Sequence, residues 1–188
     1  MPIASGGSQL LDPLNILEVQ LGLGAGMAYA ALGVGSSAHF LIPAAKIIGP
    51  EGRAYAVDIL KAVLSNVQSR ANEESLSNIV PVWADLEVYG SAKDIADHSL
   101  DCASMINLLY LTSQDEHVFN EANRLMKAQG RIVIVDWIDK EMQFGPALAQ
   151  RTSLDKVRQM AKVVKWQETH TFEPSPYHFG VVFEKQSL

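Results

Sequence analysis

The chain of 188 residues has a single cysteine, Cys102, so no disulfide can form within it. Its five histidines, His39, His98, His117, His170 and His178, show neither CxxC nor HExxH spacing, and no metal site is legible. No stretch approaches the eighteen consecutive apolar residues of a membrane span. The opening residues, MPIASGGSQLLDPLN, lack a basic region leading into an apolar one. Lysine and arginine never cluster, and 15 basic against 21 acidic residues leave a net charge of −6, a poor footprint for phosphate-backbone binding. These absences predict a soluble protein in a reducing, cytoplasmic setting, whose partner is neither nucleic acid nor membrane. Internal repeats and low-complexity tracts are also missing, and no feature fixes an oligomeric state.

What is there is an apolar core's worth of sequence, 48% hydrophobic and long enough for one domain. Residues 1–8, rich in Gly, Ser and Pro, read as a flexible end, and 9–188 as the single domain. Asp12 is placed to cap a short leading helix that has Pro13 at its first position and Leu14, Leu17 and Leu21 on one face. The apolar run from Met27 to Leu32 suits a strand buried on both sides. A helix follows over 38–48, with Pro43 near its first turn. The alternation then repeats. RAYAVDI, NIVPVWADL, LDCASMINLLYL and GRIVIVDWI read as strands, with LKAVLSNVQSRANEE and QDEHVFNEANRLMKAQG as helices between them. In the second of these helices Val118, Ala122, Leu125 and Met126 form the buried stripe, and Gly130 supplies the stop. Strands and helices in strict turn predict a parallel sheet with helices on both faces. Thr152 and Asp155, in capping-box spacing, open one more helix. Two strand-like runs around EPSP then predict an antiparallel hairpin closing one sheet edge.

The chemistry gathers at strand ends. Gly33 and Gly35 let the backbone turn sharply after the first strand and approach a ligand, while the next helix aims free N–H groups at the same place. Asp58 closes the second strand, where a carboxylate can accept from both hydroxyls of a ribose; Asp85 closes the third, where it can accept from an exocyclic amine. A dinucleotide fingerprint would need its third glycine at Ala38.

Taken in order, YAALGVGSSAHF, GPEGRAYAVDI, VWADLE, LDCASMINLLYLT and EANRLMKAQGRIVIVDW resemble the successive motifs of the class I S-adenosylmethionine-dependent methyltransferases. The likeness is nearest to the small-molecule branch typified by ubiquinone and menaquinone biosynthesis. It implies a Rossmann-like α/β fold of seven strands, mostly parallel, with helices on both faces and the antiparallel C-terminal hairpin. The implied cofactor is S-adenosylmethionine, with S-adenosylhomocysteine as product. The resemblance sets Gly33, Gly35 and Ser36 against the methionine moiety and ribose, with Ser37 replacing a usual third glycine. It gives Asp58 the ribose hydroxyls, Ile59 the adenine face, Asp85 with Leu86 the adenine edge, and Asn107 with Leu108 the methionine end. Ala31 departs from the pattern, which usually has an acid there to fix the cofactor's amino group. Losing a charge-assisted hydrogen bond costs about 1.5 to 3 kcal/mol, roughly 10- to 150-fold in affinity.

Methyl transfer by in-line displacement asks the protein mainly for orientation. An oxygen or nitrogen acceptor can need a base, and His39, Asp136, Tyr177 and His178 are the candidates, with packing or capping roles as their plain alternatives. Between the fifth strand and the last helix, Phe144, Pro146 and Arg151 are placed to face an acceptor, or to form an ordinary connection. INLLY lacks the prolines of an amino-group NPPY motif, and Cys102 reads as core. Two rival readings stay open: a relative that binds the cofactor without turnover, suggested by Ala31, and a nicotinamide-dependent oxidoreductase, which would share the glycine turn and ribose acid.

Overall fold

The structure, a computed structural model, describes residues 10–187. The expected flexible end, 1–8, lies outside the described residues. Seven strands form one sheet: β1 (Ala28–Leu32), β2 (Arg53–Asp58), β3 (Ile79–Trp83), β4 (Leu100–Ile106), β5 (Met126–Trp137), β6 (Trp166–Ser175) and β7 (His178–Lys185). Their order is β3-β2-β1-β4-β5-β7-β6. The first five run parallel, and β7 pairs antiparallel to both β5 and β6. This is the mostly parallel sheet with a closing hairpin that the sequence pattern predicts.

Alternation along each strand divides the core between two faces. Tyr29 and Ala31 pack on one side with helices α1 (Leu41–Ile48) and α2 (Lys61–Glu73). Ala30 and Leu32 pack on the other with α3 (Asp115–Leu125) and α4 (Leu154–Val163). Cys102 is buried core, and burial pushes its thiol up to about 11, so it stays protonated and unreactive.

Three local expectations are corrected. Asp12 does cap the leading segment, accepting from the Leu14 and Asn15 N–H groups. Residues Asn15–Gln20, however, wind as a π-helix, closed by Leu21 N–H donating to Ile16 C=O at 3.0 Å. The wider turn buries Ile16 beside Leu17 and Leu21 and leaves Leu14 54% exposed. Helix α3 stops at Leu125, five residues before Gly130, because the buried Lys185 ammonium donates to the Asn123 and Met126 carbonyls at 2.6 and 2.9 Å. The positive φ there belongs to Gln129, and Gly130 instead has backbone so close that a Cβ would lie 3.0 Å from the Leu100 carbonyl oxygen. Helix α4 is capped by Ser153, whose side chain accepts from Lys156 N–H; Thr152 donates to Asp115 instead.

Candidate active site

The parallel strands all end on one side of the sheet, and the loops leaving β1 to β4 enclose a cavity of about 670 Å³ there. After Leu32 the chain turns through Gly33 (φ +75°) and Gly35 (φ +67°), a backbone region that glycine reaches without cost. Both Gly33 and Val34 donate to the Val57 carbonyl, which fixes the turn against β2. A side chain at Gly33 is excluded twice, since its Cβ would sit 2.7 Å from Leu108 Cδ1. Gly35 faces open space, so the turn leaves room above it.

Asp58, at the end of β2, bridges this turn to α2: Oδ2 accepts from Gly35 N–H at 3.2 Å and Oδ1 from Leu60 N–H at 2.9 Å. Beside it Ile59 is 52% exposed, and its carbonyl accepts from the Trp83 indole. After β3, Asp85 closes a tight turn by accepting from Glu87 N–H. After β4, Asn107 is held at φ +53° with its N–H donating to Val135 C=O. Its amide oxygen and nitrogen are buried with no partner among the described residues, which costs stability unless something polar completes them.

Every residue that the sequence motifs assign to a cofactor lines this one cavity: Ala31, Gly33, Gly35, Ser36 and Ser37 from the first turn, Asp58 and Ile59, Asp85 and Leu86, Asn107 and Leu108. His39 lines it too, with Nε2 3.2 Å from the Leu11 carbonyl oxygen. The other acceptor-side candidates are elsewhere. Asp136 is fully buried, accepting from Leu109 N–H at 2.9 Å and Trp137 N–H at 2.8 Å, so it anchors the loop that carries Asn107. Burial pushes its carboxyl up to about 7. His178 is stacked 4.4 Å from Trp137, with Nδ1 on Ser175 and Nε2 unpartnered; burial pushes it down to about 4. Tyr177 packs edge-on against Phe144. Arg151 is consumed by backbone carbonyls of Ile138, Lys140 and Pro146, clipping the segment after β5 into place.

The sequence reading missed Tyr110 and Ser104 in the lining, and Glu87 with Ser113 at its rim. Glu87 reaches across to accept from the Ser113 and Gln114 N–H groups, joining the loops after β3 and β4, and these bonds hold its carboxyl below the usual range. A carboxylate two residues after a strand-end acid is the only signal that could have found it.

A family model described as a methyltransferase domain matches residues 25–176. The chain belongs to this methyltransferase domain family. It is also similar in fold to several solved structures. A SAM-dependent methyltransferase from Aquifex aeolicus shares 22% identity at a TM-score of 0.84, covering 95% of this chain and 92% of that one. A type 11 methyltransferase from Sulfolobus solfataricus, so named provisionally, shares 22% at 0.75, covering 95% of each. The cyclase SpnF shares 11% at 0.77, covering 92% of this chain and 79% of that one. These likenesses bear out the Rossmann-like methyltransferase fold, and kinship to the quinone branch does not follow from them. No helix among the described residues is long and apolar enough to cross a membrane.

Proposed function

We propose that this methyltransferase takes its methyl group from S-adenosylmethionine and passes it to a small-molecule acceptor. The observation that carries the reading is the convergence of the glycine turn, Asp58, Asp85 and Asn107 on one cavity, at the carboxyl ends of four successive parallel strands. Its volume of about 670 Å³ lies within the range of small-molecule sites. The unpartnered Asn107 amide and the rim carboxylates supply the polar groups such a ligand needs.

When bound, S-adenosylmethionine would supply a methyl activated on sulfonium, open to in-line attack by an acceptor with the thioether of S-adenosylhomocysteine as leaving group. The chain's share is to bind, orient and exclude water. Asp58 would accept from the ribose hydroxyls, Ile59 would offer an apolar face to adenine, and Asp85 with Leu86 would hold its edge. Gly33, Gly35, Ser36 and Ser37 give a close backbone approach to the methionine end, flanked by Asn107 and Leu108. Among the groups lining the cavity, His39 is an imidazole able to take an acceptor's proton, and Tyr110, whose phenol burial pushes up, is a hydrogen-bond donor in the same lining. Asp136, Arg151, Tyr177 and His178 position the loops around them.

Binding without turnover is the second reading. Two observations favour it: Ala31 stands where the resemblance implies an acid, and a protein of the same fold is named for a cyclisation. Isothermal titration of S-adenosylmethionine and S-adenosylhomocysteine, with NADH as control, tests the site in this chain and in Asp58→Ala. Both sulfur ligands should bind, NADH should not, and the variant should bind at least about tenfold more weakly. Binding of neither sulfur ligand would overturn the reading; binding with no methyl transfer or slow hydrolysis would select the second one.

A further inference from the structure

Beneath the cavity floor lies a buried polar pair that joins β1 to β4. The Tyr29 hydroxyl and Ser104 Oγ are 2.6 Å apart, with Tyr29 at 0% and Ser104 at 1% exposure. Ala31 and Ser104 are register partners on β1 and β4, and both line the cavity, so Ser104 Oγ is the polar atom beside the Ala31 methyl. Hydrogen accounting gives the pair a direction. The Tyr29 hydroxyl has no other partner among the described residues, and a buried O–H left without an acceptor is costly. One of the two hydrogens has no protein acceptor among the described residues, and Ser104, unlike Tyr29, lines the cavity where a ligand can supply one, so Tyr29 donates to Ser104 Oγ. Burial holds the phenol far above its ordinary range, so that proton stays on Tyr29. Ser104 then has its own hydrogen to place, and no protein acceptor takes it among the described residues. Alanine at position 31 brings no oxygen to receive it.

We propose that the Tyr29–Ser104 pair is a pre-polarised hydrogen-bond donor that selects the carboxylate, and not the ammonium, of the cofactor's amino-acid end. The proposal rests on the S-adenosylmethionine reading above, and the sheet order orients the ligand. Asp58 and Asp85 hold the nucleoside over β2 and β3, so the amino-acid end lies over β1 and β4, where Ser104 is. A donor chain ending in a carboxylate leaves every hydrogen satisfied. An ammonium at the same place could donate to the second lone pair of Ser104 Oγ, but it would leave the Ser104 hydrogen without an acceptor. Ala31 keeps the donor free, because an acid there would take the Ser104 hydrogen for itself and turn the floor toward ammonium binding.

The experiment is titration with three ligands: S-adenosylhomocysteine, its analogue lacking the amino group, and its analogue lacking the carboxylate. In this chain the amino-lacking analogue should bind within about threefold of S-adenosylhomocysteine, and the carboxylate-lacking one about tenfold or more weakly. Ser104→Ala should shrink that gap to about threefold, and Ala31→Asp should invert the preference, penalising loss of the amino group. The proposal is overturned if S-adenosylhomocysteine binds but the amino-lacking analogue alone loses tenfold, or if Ser104→Ala leaves the gap unchanged. Failure of S-adenosylhomocysteine to bind at all refutes the cofactor reading itself, a separable result.

Discussion

Asp136 and His178 make opposed contributions to stability against pH, and substituting either one should expose the other. Asp136 is pushed from an ordinary 3.8 to about 7 by burial, so the folded chain keeps a proton that the unfolded chain releases. Its stabilising contribution is complete below pH 4 and is lost as pH rises through about 7. At about 1.4 kcal/mol per pH unit the loss totals about 4 kcal/mol. His178 is pushed from 6.5 down to about 4, so the unfolded chain binds a proton that the folded one refuses. Its contribution is complete above 6.5 and is lost as pH falls through about 4, a total of about 3 kcal/mol. Between pH 4 and 6.5 the two slopes cancel to within about 1 kcal/mol, and the native chain should show little pH dependence from this pair. Both groups are neutral in that window, as two titratable side chains on adjoining residues of a buried strand pair should be.

Urea unfolding of the native chain, His178→Phe and Asp136→Asn at half-unit steps from pH 4 to 7.5 reads this directly. Differences between curves cancel the other carboxylates. Native minus His178→Phe should rise by about 3 kcal/mol from pH 4 to 6.5, and native minus Asp136→Asn should fall by about 4 kcal/mol from pH 4 to 7. Each substitution also has a pH-independent cost, because Ser175 loses its bond to the imidazole in one and a backbone N–H loses a carboxylate oxygen in the other. Parallel curves for all three chains would refute the reasoning, since they would mean that neither group is desolvated on folding.

Three further outcomes follow from the geometry. Glu121 is fully buried, pairs with Arg124 at 2.7 Å and accepts from the Gly90 and Ala92 N–H groups, so Glu121→Ala should cost about 3 to 5 kcal/mol in urea unfolding. Gly33→Ala meets both a positive φ and Leu108, whereas Gly35→Ala meets only the φ; the first should lower the melting temperature more, by at least about 1 kcal/mol in equivalent stability. Arg151→Ala releases the carbonyls of Ile138, Lys140 and Pro146, and amide exchange over 138–150 should quicken about tenfold or more while the sheet's protection holds.

The periodic elements were legible because their signals are local and additive. Continuous apolar strands, amphipathic helices and the glycine turn each follow from spacing alone, and together they specify the sheet and its doubly covered faces. What escaped depended on partners distant in sequence. The end of α3 is set by Lys185, about sixty positions on, and Gly130 carried no information about it. The π-wound leading segment is likewise chosen by what Ile16, Leu17 and Leu21 bury against, and a 3.6-residue period cannot announce that.

The site divides along the same line. Asp58, Asp85, Asn107 and Asp136 all follow a buried parallel strand or close one, and in sequence they look alike. Three of them line the cavity, and the fourth turns its carboxylate to the N–H of Leu109, whose neighbours Leu108 and Tyr110 both line it. Both jobs need a short acceptor at the carboxyl end of a strand, because loop N–H groups and ligand hydroxyls are the same kind of donor. The sheet decides between them by position. β1 to β4 end beneath the open cavity, whereas β5 ends beside β7 and Asp136 is outside the cavity lining, where its buried carboxylate meets the Leu109 and Trp137 N–H groups. Asp136 thus serves the site from behind, holding the loop that presents Asn107, Leu108 and Tyr110.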